Sequence, residues 1–310
     1  METFNDSLQH FLFEDVHNQP LPIRGNIVHL NQSFRQVLQH QNLPMVLKQA
    51  LGELMAASVL LSGTLKMEGV MILQLKSRGA LKLLVVECSS DLKLRATAKW
   101  DDKWAEEMSN LSFAELLEHG QFVITLDPTK GETNQGQIYQ GIVPIEGNTI
   151  AEMLQNYMLR SQQIDTSLWL HCDGENSAGM LLQKLPKSAG NDPYIQDEDA
   201  WNRMNHLAHT ITHEELQNLA PETLLTRLFA EENIRLYDAK PTQFYCSCSK
   251  TKVGSMLRML GKDEVNSILA ELGKIDVNCD FCNKHYAFDA VDAAALFASE
   301  LILNQSSSTH

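Results

Sequence analysis

The residues with the clearest chemical potential lie between Cys246 and Cys282, a segment that holds four of the chain's six cysteines. Cys246 and Cys248 form a C-x-C pair, and Cys279 and Cys282 form a C-x-x-C pair after thirty intervening residues. Each pair can present two sulfurs to one point, and four thiolates at one centre suit tetrahedral zinc. The spacing therefore predicts one zinc ion per chain held by these four cysteines. His285 is an alternative ligand that a complete set of four cysteines makes unnecessary.

A structural staple is the simplest role for such a site. A domain of about 60 residues with few apolar side chains is close to the lower limit of independent stability. Zinc contributes ~10–16 kcal/mol to the folding of small metal-bound peptides. Because oxidised thiolates no longer bind zinc, the same four residues could stabilise the domain when reduced and release it when oxidised.

Charge and the amino terminus limit the possible partners and location. The chain has 25 Lys and Arg against 39 Asp and Glu, a formal net charge of −14. This excess of acid argues against nucleic acid and anionic membrane surfaces as partners. The first residues lack the basic start and apolar middle of a secretory signal, so a cytoplasmic location is expected. There, paired cysteines are more often metal ligands or redox groups than permanent disulfides.

The elements that must position the cysteines suggest an α+β protein. Residues 1–187 are expected to form an amino-terminal domain of mostly antiparallel sheets with helices packed on one side. Residues 33–66 have helical spacing of apolar residues, residues 69–100 resemble three strands, and residues 121–145 resemble a hairpin. A helix is expected to begin after Thr149, and two closing strands to follow it.

A linker and a small domain are expected to follow. Residues 188–241 are predicted to be a linker of amphipathic helices. Between residues 190 and 232 this segment has nine acidic residues and only two arginines. Such a segment has too little core to be stable alone and must pack on a neighbour. Residues 242–303 are predicted to form the zinc domain, and residues 304–310 a disordered tail. The apolar stripes of the linker contain Trp201, Met204, Ala208, Ile211, Leu224, Leu225, Leu228 and Phe229.

Several segments resemble the heat-shock protein 33 family of redox-regulated chaperones. They are CSCSK, LGKDEVNSILAELGKIDVNCDFCNKHYAF and GIVPIEGNTIAEML, and the resemblance covers nearly the whole chain in the family's order. The most specific part is the C-x-C and C-x-x-C pairs joined by the DEV-SIL-E-GKI run. One departure is that Lys250-Thr251-Lys252 replaces an Arg-Glu-Arg tract, so any contact of that glutamate is in doubt.

The resemblance implies a holdase that is not an enzyme. By this resemblance, the reduced, zinc-bound form is expected to be inactive, and the changes described next are expected on oxidation. Hypochlorous acid, or peroxide with heat, forms the disulfides Cys246–Cys248 and Cys279–Cys282, expels zinc and unfolds the carboxy-terminal domain and linker. The oxidised form tends to be a homodimer and holds unfolding proteins until other chaperones refold them. The linker residues expected to bind such clients are Trp201, Met204, Ile211, Leu224, Leu225, Leu228 and Phe229.

The remaining candidates are weaker. Cys88 and Cys172 are lone thiols on predicted strands and are expected to be small core residues. His206, His209 and His213 have the spacing of one helix face, and a solvated linker surface is the expected role.

Two other functions stay open on the residues alone. One is a zinc-ribbon nucleic-acid binder, which the acidic charge opposes although Lys250, Lys252, Arg258 and Lys262 lie near the first cysteine pair. The other is a thiol–disulfide oxidoreductase, although neither cysteine pair lies in the strand–helix turn of a thioredoxin-like pattern.

Overall fold

The structure, a computed structural model, describes residues 6–66, 68–117, 119–130, 136–186, 197 and 199–306. The chain divides into two compact units, Met1–Tyr245 and Cys246–His310. Sheets and helices mix in the first unit, as the expected α+β class requires. The expected linker boundary at residue 188 lies outside the described residues, so the division into domain and linker stays a prediction.

Two sheets form the framework of the first unit. Their orders are β10-β1-β2-β9-β8, with β11 also paired to β1, and β12-β5-β4-β3-β6-β7. Every pairing is antiparallel except that of β12 with β5. The strands are β1 (Ser7–Glu14), β2 (Pro20–Leu30), β3 (Val70–Lys76), β4 (Leu81–Ser89), β5 (Lys93–Trp100), β6 (Gln121–Asp127), β7 (Tyr139–Val143), β8 (Thr166–Cys172), β9 (Ser177–Lys184), β10 (Asn233–Leu236), β11 (Lys240–Pro241) and β12 (Gln243–Phe244).

Helices cover both sheets of this unit. They are α1 (Gln32–Leu38), α2 (Met45–Ser62), α3 (Phe113–Leu116), α4 (Ile150–Gln162), α5 (Ala200–Ala208), α6 (His213–Asn218) and α7 (Pro221–Leu228). Pro44 precedes the first turn of α2, as the break in the helical pattern predicted. The expected helix start also forms, because the Thr149 side chain accepts a hydrogen bond from the Glu152 backbone N–H.

Helix α2 lies in the main core between the two sheets. Its buried side chains share one apolar cluster with Val28 and Leu181 of the first sheet and with Leu84 and Leu94 of the second. A helix that is apolar around its circumference is buried in a core or in a membrane. By length and composition α2 could cross a membrane, but 72% of it is buried inside the protein. This burial is the property of a core helix.

The first sheet is apolar on both faces. In β9, every residue except the last is buried, which is the pattern of a strand covered on both sides. Leu8 of β1 belongs to the cluster around α2, whereas Phe11 and Phe13 belong to a second cluster with Met204 and Phe229. Helices α5–α7, which come from the region predicted as a linker, cover the second face of this sheet, and this packing agrees with the expectation that the segment packs on a neighbour.

Three short helices occupy the region predicted as an amphipathic linker. Ile211 was expected on the same helix as Trp201, but it lies beyond the end of α5. His213 was expected on the same helix as His206, but it begins α6. The physical reason is a capping box, in which the Thr212 side chain accepts from the Glu215 backbone N–H and the Glu215 carboxylate accepts in return. That exchange starts a new helix after a turn.

The two arginines of this region are each paired with acids. Arg203 donates to Glu232 at 2.6 Å and to Asp197 at 2.7 Å, and Arg227 lies 2.8 Å from Glu215. These pairs join the start of α5 to the residues after α7, and α7 to α6. The local acidic excess is thus partly neutralised where the helices meet.

The second unit is small. It consists of α8 (Lys250–Leu260), α9 (Lys262–Leu272), β13 (Ile275–Asn278), β14 (His285–Phe288) and α10 (Ala290–Ser306), and the two strands form an antiparallel hairpin. Helix α10 continues three residues into the expected tail, and residues 307–310 lie outside the described part. Among the described side chains, the buried core of the second unit consists of Leu257, Val265, Ile275, Tyr286, Phe288, Ala293 and Phe297.

Candidate metal centre

The four paired cysteines meet in the second unit. The Sγ atoms of Cys246 and Cys279 are 3.6 Å apart, those of Cys248 and Cys282 are 3.4 Å apart, and all four lie within 4.8 Å of one another. Four sulfurs bound to a tetrahedral zinc at ~2.3 Å would be separated by ~3.8 Å. The donor atoms therefore fit one such ion. Across the described residues, no other group of three or more potential ligands was found.

The first cysteine pair lies where the chain enters the second unit. Tyr245, the last residue of the first unit, donates its backbone N–H to the Leu94 carbonyl at 2.9 Å. Cys246 and Cys248 follow directly and precede α8. The Ser249 side chain caps that helix. Within the second unit, the C-x-C pair is thus followed directly by a capped helix.

The second pair lies in the turn between β13 and β14. The Cys279 N–H donates to the Lys284 carbonyl at 3.0 Å, and the Asn283 N–H donates to the Cys279 carbonyl at 2.8 Å. Asn283 has a left-handed backbone with φ of 54°, a conformation that asparagine adopts more readily than most residues. This tight turn brings Cys279 and Cys282 to the same side of the hairpin.

Hydrogen bonds to sulfur polarise the cluster. The Tyr286 hydroxyl donates to Cys248 Sγ at 3.1 Å, and the Lys284 backbone N–H donates to Cys282. Burial acts to raise the pKa of Cys248, but the bonds from Tyr286 and from the other cysteines outweigh it and lower this pKa to about 7. Burial raises the pKa of Cys282. A bound cation would favour the thiolate form of all four sulfurs.

His285 is not part of the sulfur cluster. Its Nδ1 lies 2.9 Å from Asn278 Oδ1, and its Nε2 lies 3.1 Å from Asp276 Oδ1. Both contacts are to β13. They orient the imidazole along the hairpin, so the alternative ligand considered from sequence is not among the group that could hold a metal.

The Lys250-Thr251-Lys252 tract forms the first turn of α8. Lys250 Nζ donates to both carboxylate oxygens of Asp292 at 2.9 Å and lies 5.2 Å from the ring centre of Phe288. Lys252 Nζ donates to Ser247 Oγ at 2.9 Å. The two lysines thus join the C-x-C segment to α10, and these contacts do not require an acid at position 251.

The other two cysteines are core residues, as expected. Cys88 is fully buried and Cys172 is 2% exposed. Burial is the main cause that raises the pKa of each thiol to about 12. Neutral thiols in a closed core react poorly with oxidants. His171 lies on the other face of β8 from Cys172, as predicted.

The predicted client-binding residues are covered in this structure. Met204, Leu224, Leu225, Leu228 and Phe229 are buried in the second cluster of the first unit, and Trp201 and Ile211 are half-buried against it. The ring of Phe229 makes an edge contact with Phe13 of β1, with ring centres 4.9 Å apart. Their role in binding clients stays a prediction.

A row of side-chain contacts between β8 and the helices was not predicted from the sequence. Every second residue of β8 and its continuation meets every fourth residue of the α5–α6 region. We call this row the β8 seam. Its four contacts are the Ser167–Asn205 hydrogen bond at 2.6 Å, the Trp169–His209 rings at 5.2 Å, the His171–His213 rings stacked at 4.4 Å and the Asp173–Gln217 hydrogen bond.

The β8 seam corrects the expectation for the three histidines. His206 bonds only within its own helix, to the Asn202 carbonyl, and remains exposed. His209 and His213 are also exposed by area, yet their rings contact the strand. The four-residue spacing of His209 and His213, which matches the two-residue spacing of Trp169 and His171 in the strand, was the sequence signal that could have revealed the contact.

Comparison with known proteins identifies the family. A sequence model described as "Hsp33 protein" matches residues 6–289. The 33 kDa chaperonin of Methylobacillus flagellatus is 53% identical over 96% of this chain and 97% of the relative, and that of Chromobacterium violaceum is 43% identical over 96% of each. The crystal structure of the heat shock protein 33 homolog of Thermotoga maritima has the same fold, with a TM-score of 0.75, 17% identity, and coverage of 96% of this chain and 99% of that one. With a match of this length and identity, the chain belongs to the Hsp33 family of chaperones.

Proposed function

We propose that this protein is a redox-regulated holdase, inactive when reduced and zinc-bound and active when its four clustered cysteines are oxidised. The observation that carries the proposal is the meeting of four sulfurs within 4.8 Å in a unit with a small core. Such a unit depends on its metal for stability. Removal of the ligands should therefore unfold it.

Zinc, when bound, would keep all four sulfurs as thiolates. A thiolate of the cluster attacks the oxygen of hydrogen peroxide, the O–O bond breaks and a sulfenic acid forms with release of hydroxide. A neighbouring thiolate then attacks this sulfur, a disulfide forms and a second hydroxide leaves. Each disulfide thus transfers two electrons to one oxidant molecule. Hypochlorous acid would act in the same way with chloride as the leaving group.

The proposed disulfides are Cys246–Cys248 and Cys279–Cys282. The closest sulfurs in the structure belong instead to the cross-pairs Cys246–Cys279 and Cys248–Cys282. Because every sulfur is within 4.8 Å of the others, small movements bring either pairing within reach. Only the local pairing would leave the two halves of the unit free to separate, so unfolding requires it.

Loss of order in the second unit is proposed to release α5–α7. Chain connectivity supports this, because α7 continues through β10–β12 to Cys246. Release would uncover Phe11 and Phe13 on the sheet and the apolar faces of the helices. An apolar surface of this kind binds unfolding proteins, and a net charge of −14 would keep the opened chain soluble. We further propose a cytoplasmic location, homodimers in the oxidised form and transfer of clients to refolding chaperones.

The test measures zinc content and suppression of aggregation of a chemically denatured protein, before and after oxidation. The reduced protein is expected to hold one zinc and to suppress little, and the oxidised protein to hold none and to suppress strongly. The double variant Cys279→Ser/Cys282→Ser should be active without oxidant. The matched control is Cys88→Ala, which removes a buried thiol outside the cluster and should retain the switch. Equal suppression by zinc-loaded and oxidised protein would overturn the proposal.

Two further measurements separate the other functions. Salt-dependent retention of the reduced protein on single-stranded nucleic acid would favour a zinc-ribbon binder. Repeated turnover of a disulfide substrate by one protein molecule would favour an oxidoreductase. We expect neither, since the chain is acidic and the cysteines lie in a metal-type cluster.

A further inference from the structure

Tyr286 connects the sulfur cluster to the core of the second unit. Its ring is 7% exposed and packs in the small apolar core, while its hydroxyl donates to Cys248 Sγ at 3.1 Å. Strand β14 fixes this orientation, because Tyr286 and Phe288 point inward and His285 and Ala287 point outward. Tyr286 pairs with Val277 across the hairpin. The pairing of β14 with β13 and the packing of the ring therefore hold the hydroxyl next to Cys248 Sγ.

We propose that Tyr286 is a positioning residue that lowers the reactivity of Cys248 and thereby sets the oxidant exposure at which the cluster opens. A hydrogen bond to a thiolate occupies a sulfur lone pair and withdraws negative charge from it. The lone pair that attacks an oxidant is then less available. Because this role rests on the proposed function, its test must not depend on chaperone activity.

The reaction that the hydrogen bond would slow is the first oxidation of Cys248. Its thiolate sulfur attacks one oxygen of hydrogen peroxide, the S–O bond of a sulfenic acid forms as the O–O bond breaks, and the second oxygen leaves as hydroxide. Two electrons pass from sulfur to peroxide. Charge leaves the sulfur as this bond forms, so the Tyr286 hydrogen bond weakens on the way to the transition state and raises the barrier.

Cys282 supplies an internal comparison. Its sulfur lies 3.4 Å from that of Cys248 and accepts a hydrogen bond from the Lys284 backbone N–H. A Tyr286→Phe substitution removes the donor to Cys248 and leaves the backbone donor in place. The apolar ring remains in the core. General loosening of the unit would speed the reactions of both sulfurs, whereas loss of one hydrogen bond would speed only that of Cys248.

The experiment is pulsed alkylation of the full-length, reduced and zinc-loaded protein with iodoacetamide, followed by mass spectrometry of each cysteine. In this reaction the sulfur–carbon bond forms, the carbon–iodine bond breaks and iodide leaves, so no oxidant is needed. In Tyr286→Phe the ratio of Cys248 to Cys282 alkylation rates should rise about tenfold, equivalent to about 1.4 kcal/mol. Zinc release at a fixed peroxide concentration should be faster. Tyr237→Phe, on an exposed tyrosine of the first unit, is the control and should change neither.

The outcomes distinguish this role from the proposed function. An unchanged ratio, or equal acceleration of both cysteines, would show that Tyr286 is only a core residue. Zinc content and far-ultraviolet circular dichroism of the variant confirm that it folds. If the wild-type chain held no zinc the proposed function would fail, whereas an unchanged ratio in a zinc-loaded variant would overturn only the role of Tyr286. The two ideas can therefore fail separately.

Discussion

At the scale of single residues, Gly25 shows how closely the first sheet is packed. Gly25 of β2 lies directly opposite Phe11 of β1, and a Cβ atom at position 25 would overlap the Phe11 ring. That ring contacts Phe13 edge-on with centres 5.7 Å apart, and Phe13 in turn contacts Phe229. A glycine is therefore required here by space and not by backbone conformation.

Gly25→Ala is expected to destabilise the first unit by about 1–3 kcal/mol, because overpacking forces the aromatic ring to move. The displaced ring should also weaken the contact of Phe229 with the sheet. Urea unfolding measures the first effect, and binding of an apolar dye to the reduced protein measures the second. Gly79→Ala is the control, since the nearest atom to its added Cβ is 3.4 Å away. Equal stability of the two variants would contradict this explanation.

Glu53 is a carboxyl group on the core helix α2. Burial raises its pKa to about 7, from an ordinary value near 4.5. The folded protein therefore binds a proton at pH values where the unfolded chain has lost it. Stability falls as the pH rises from about 4.5 to 7, and the cost is fully present above pH 7.

Glu53→Gln should therefore stabilise the protein at pH 8 by about 2–3 kcal/mol and have little effect at pH 5. The measurement is the free energy of unfolding in urea at both pH values. Glu68→Gln, on an exposed residue, provides the reference. The same gain at pH 5 and pH 8 would mean that the charge of Glu53 is not the cause.

At the scale of elements, the β8 seam controls how α5 and α6 lie on the sheet. Burial lowers the pKa of His171, and the nearby His213 lowers it further, while Asp173 and a hydrogen bond that His171 donates to Gln217 oppose the change. A second attachment is His29, which donates to the Leu216 carbonyl at 3.0 Å and whose pKa burial also lowers. Both histidines bind protons less readily when α6 is docked.

Acid should consequently weaken the docking of α5 and α6. Below about pH 6.5, His171 and His29 bind more protons when the helices are released than when they are docked. The docked state therefore loses stability as the pH falls. Apolar dye binding by reduced protein should increase between pH 7.5 and 5.5. The increase should be smaller in His171→Gln, which keeps a polar side chain without the charge. Zinc content is measured in parallel, and identical pH profiles for both proteins at equal zinc content would refute the role of His171.

Sequence patterns predicted the elements of this region better than their contacts. Strand β8 follows from local alternation, strand β9 from the turn at Asp173 and Gly174 that precedes it, and the helix after Thr149 from its cap, so all three were predicted. The strands β1 and β2 were not, because Phe11 and Phe13 face one cluster and Leu8 faces another. Burial on both sides removes the polar–apolar contrast on which strand prediction depends.

At the scale of the whole molecule, the two units differ in what stabilises them. The first has a large apolar core around α2, whereas the second has few buried apolar side chains among those described. The meeting of Cys246, Cys248, Cys279 and Cys282 was predictable from spacing alone. The hydrogen bond from Tyr286 was not, because the sequence does not determine which side of the hairpin faces the sulfurs.

Chelation of zinc under reducing conditions should unfold the second unit and leave the first largely folded. Zinc contributes ~10–16 kcal/mol in small metal-folded peptides, more than a core of this size can replace. Hydrogen exchange should show loss of protection in α8–α10 and retained protection in β3–β6 after treatment with a strong chelator. Addition of zinc should restore the protection. Protection of α8–α10 that survives complete chelation would show that the metal is not required for folding.

The periodicity of the β8 seam makes chain length itself a determinant of docking. Two strand residues advance about 6.7 Å, whereas four helical residues advance about 6 Å. The helix therefore falls further behind the strand with each pair of contacts. The turn between α5 and α6 is more extended than a helix and makes up this difference in length. Insertion or deletion of one residue at positions 209–212 would shift every later partner out of phase while conserving all the contacting side chains. A change of spacing at this turn would therefore alter how α6 docks on the sheet without changing the type of any contacting side chain.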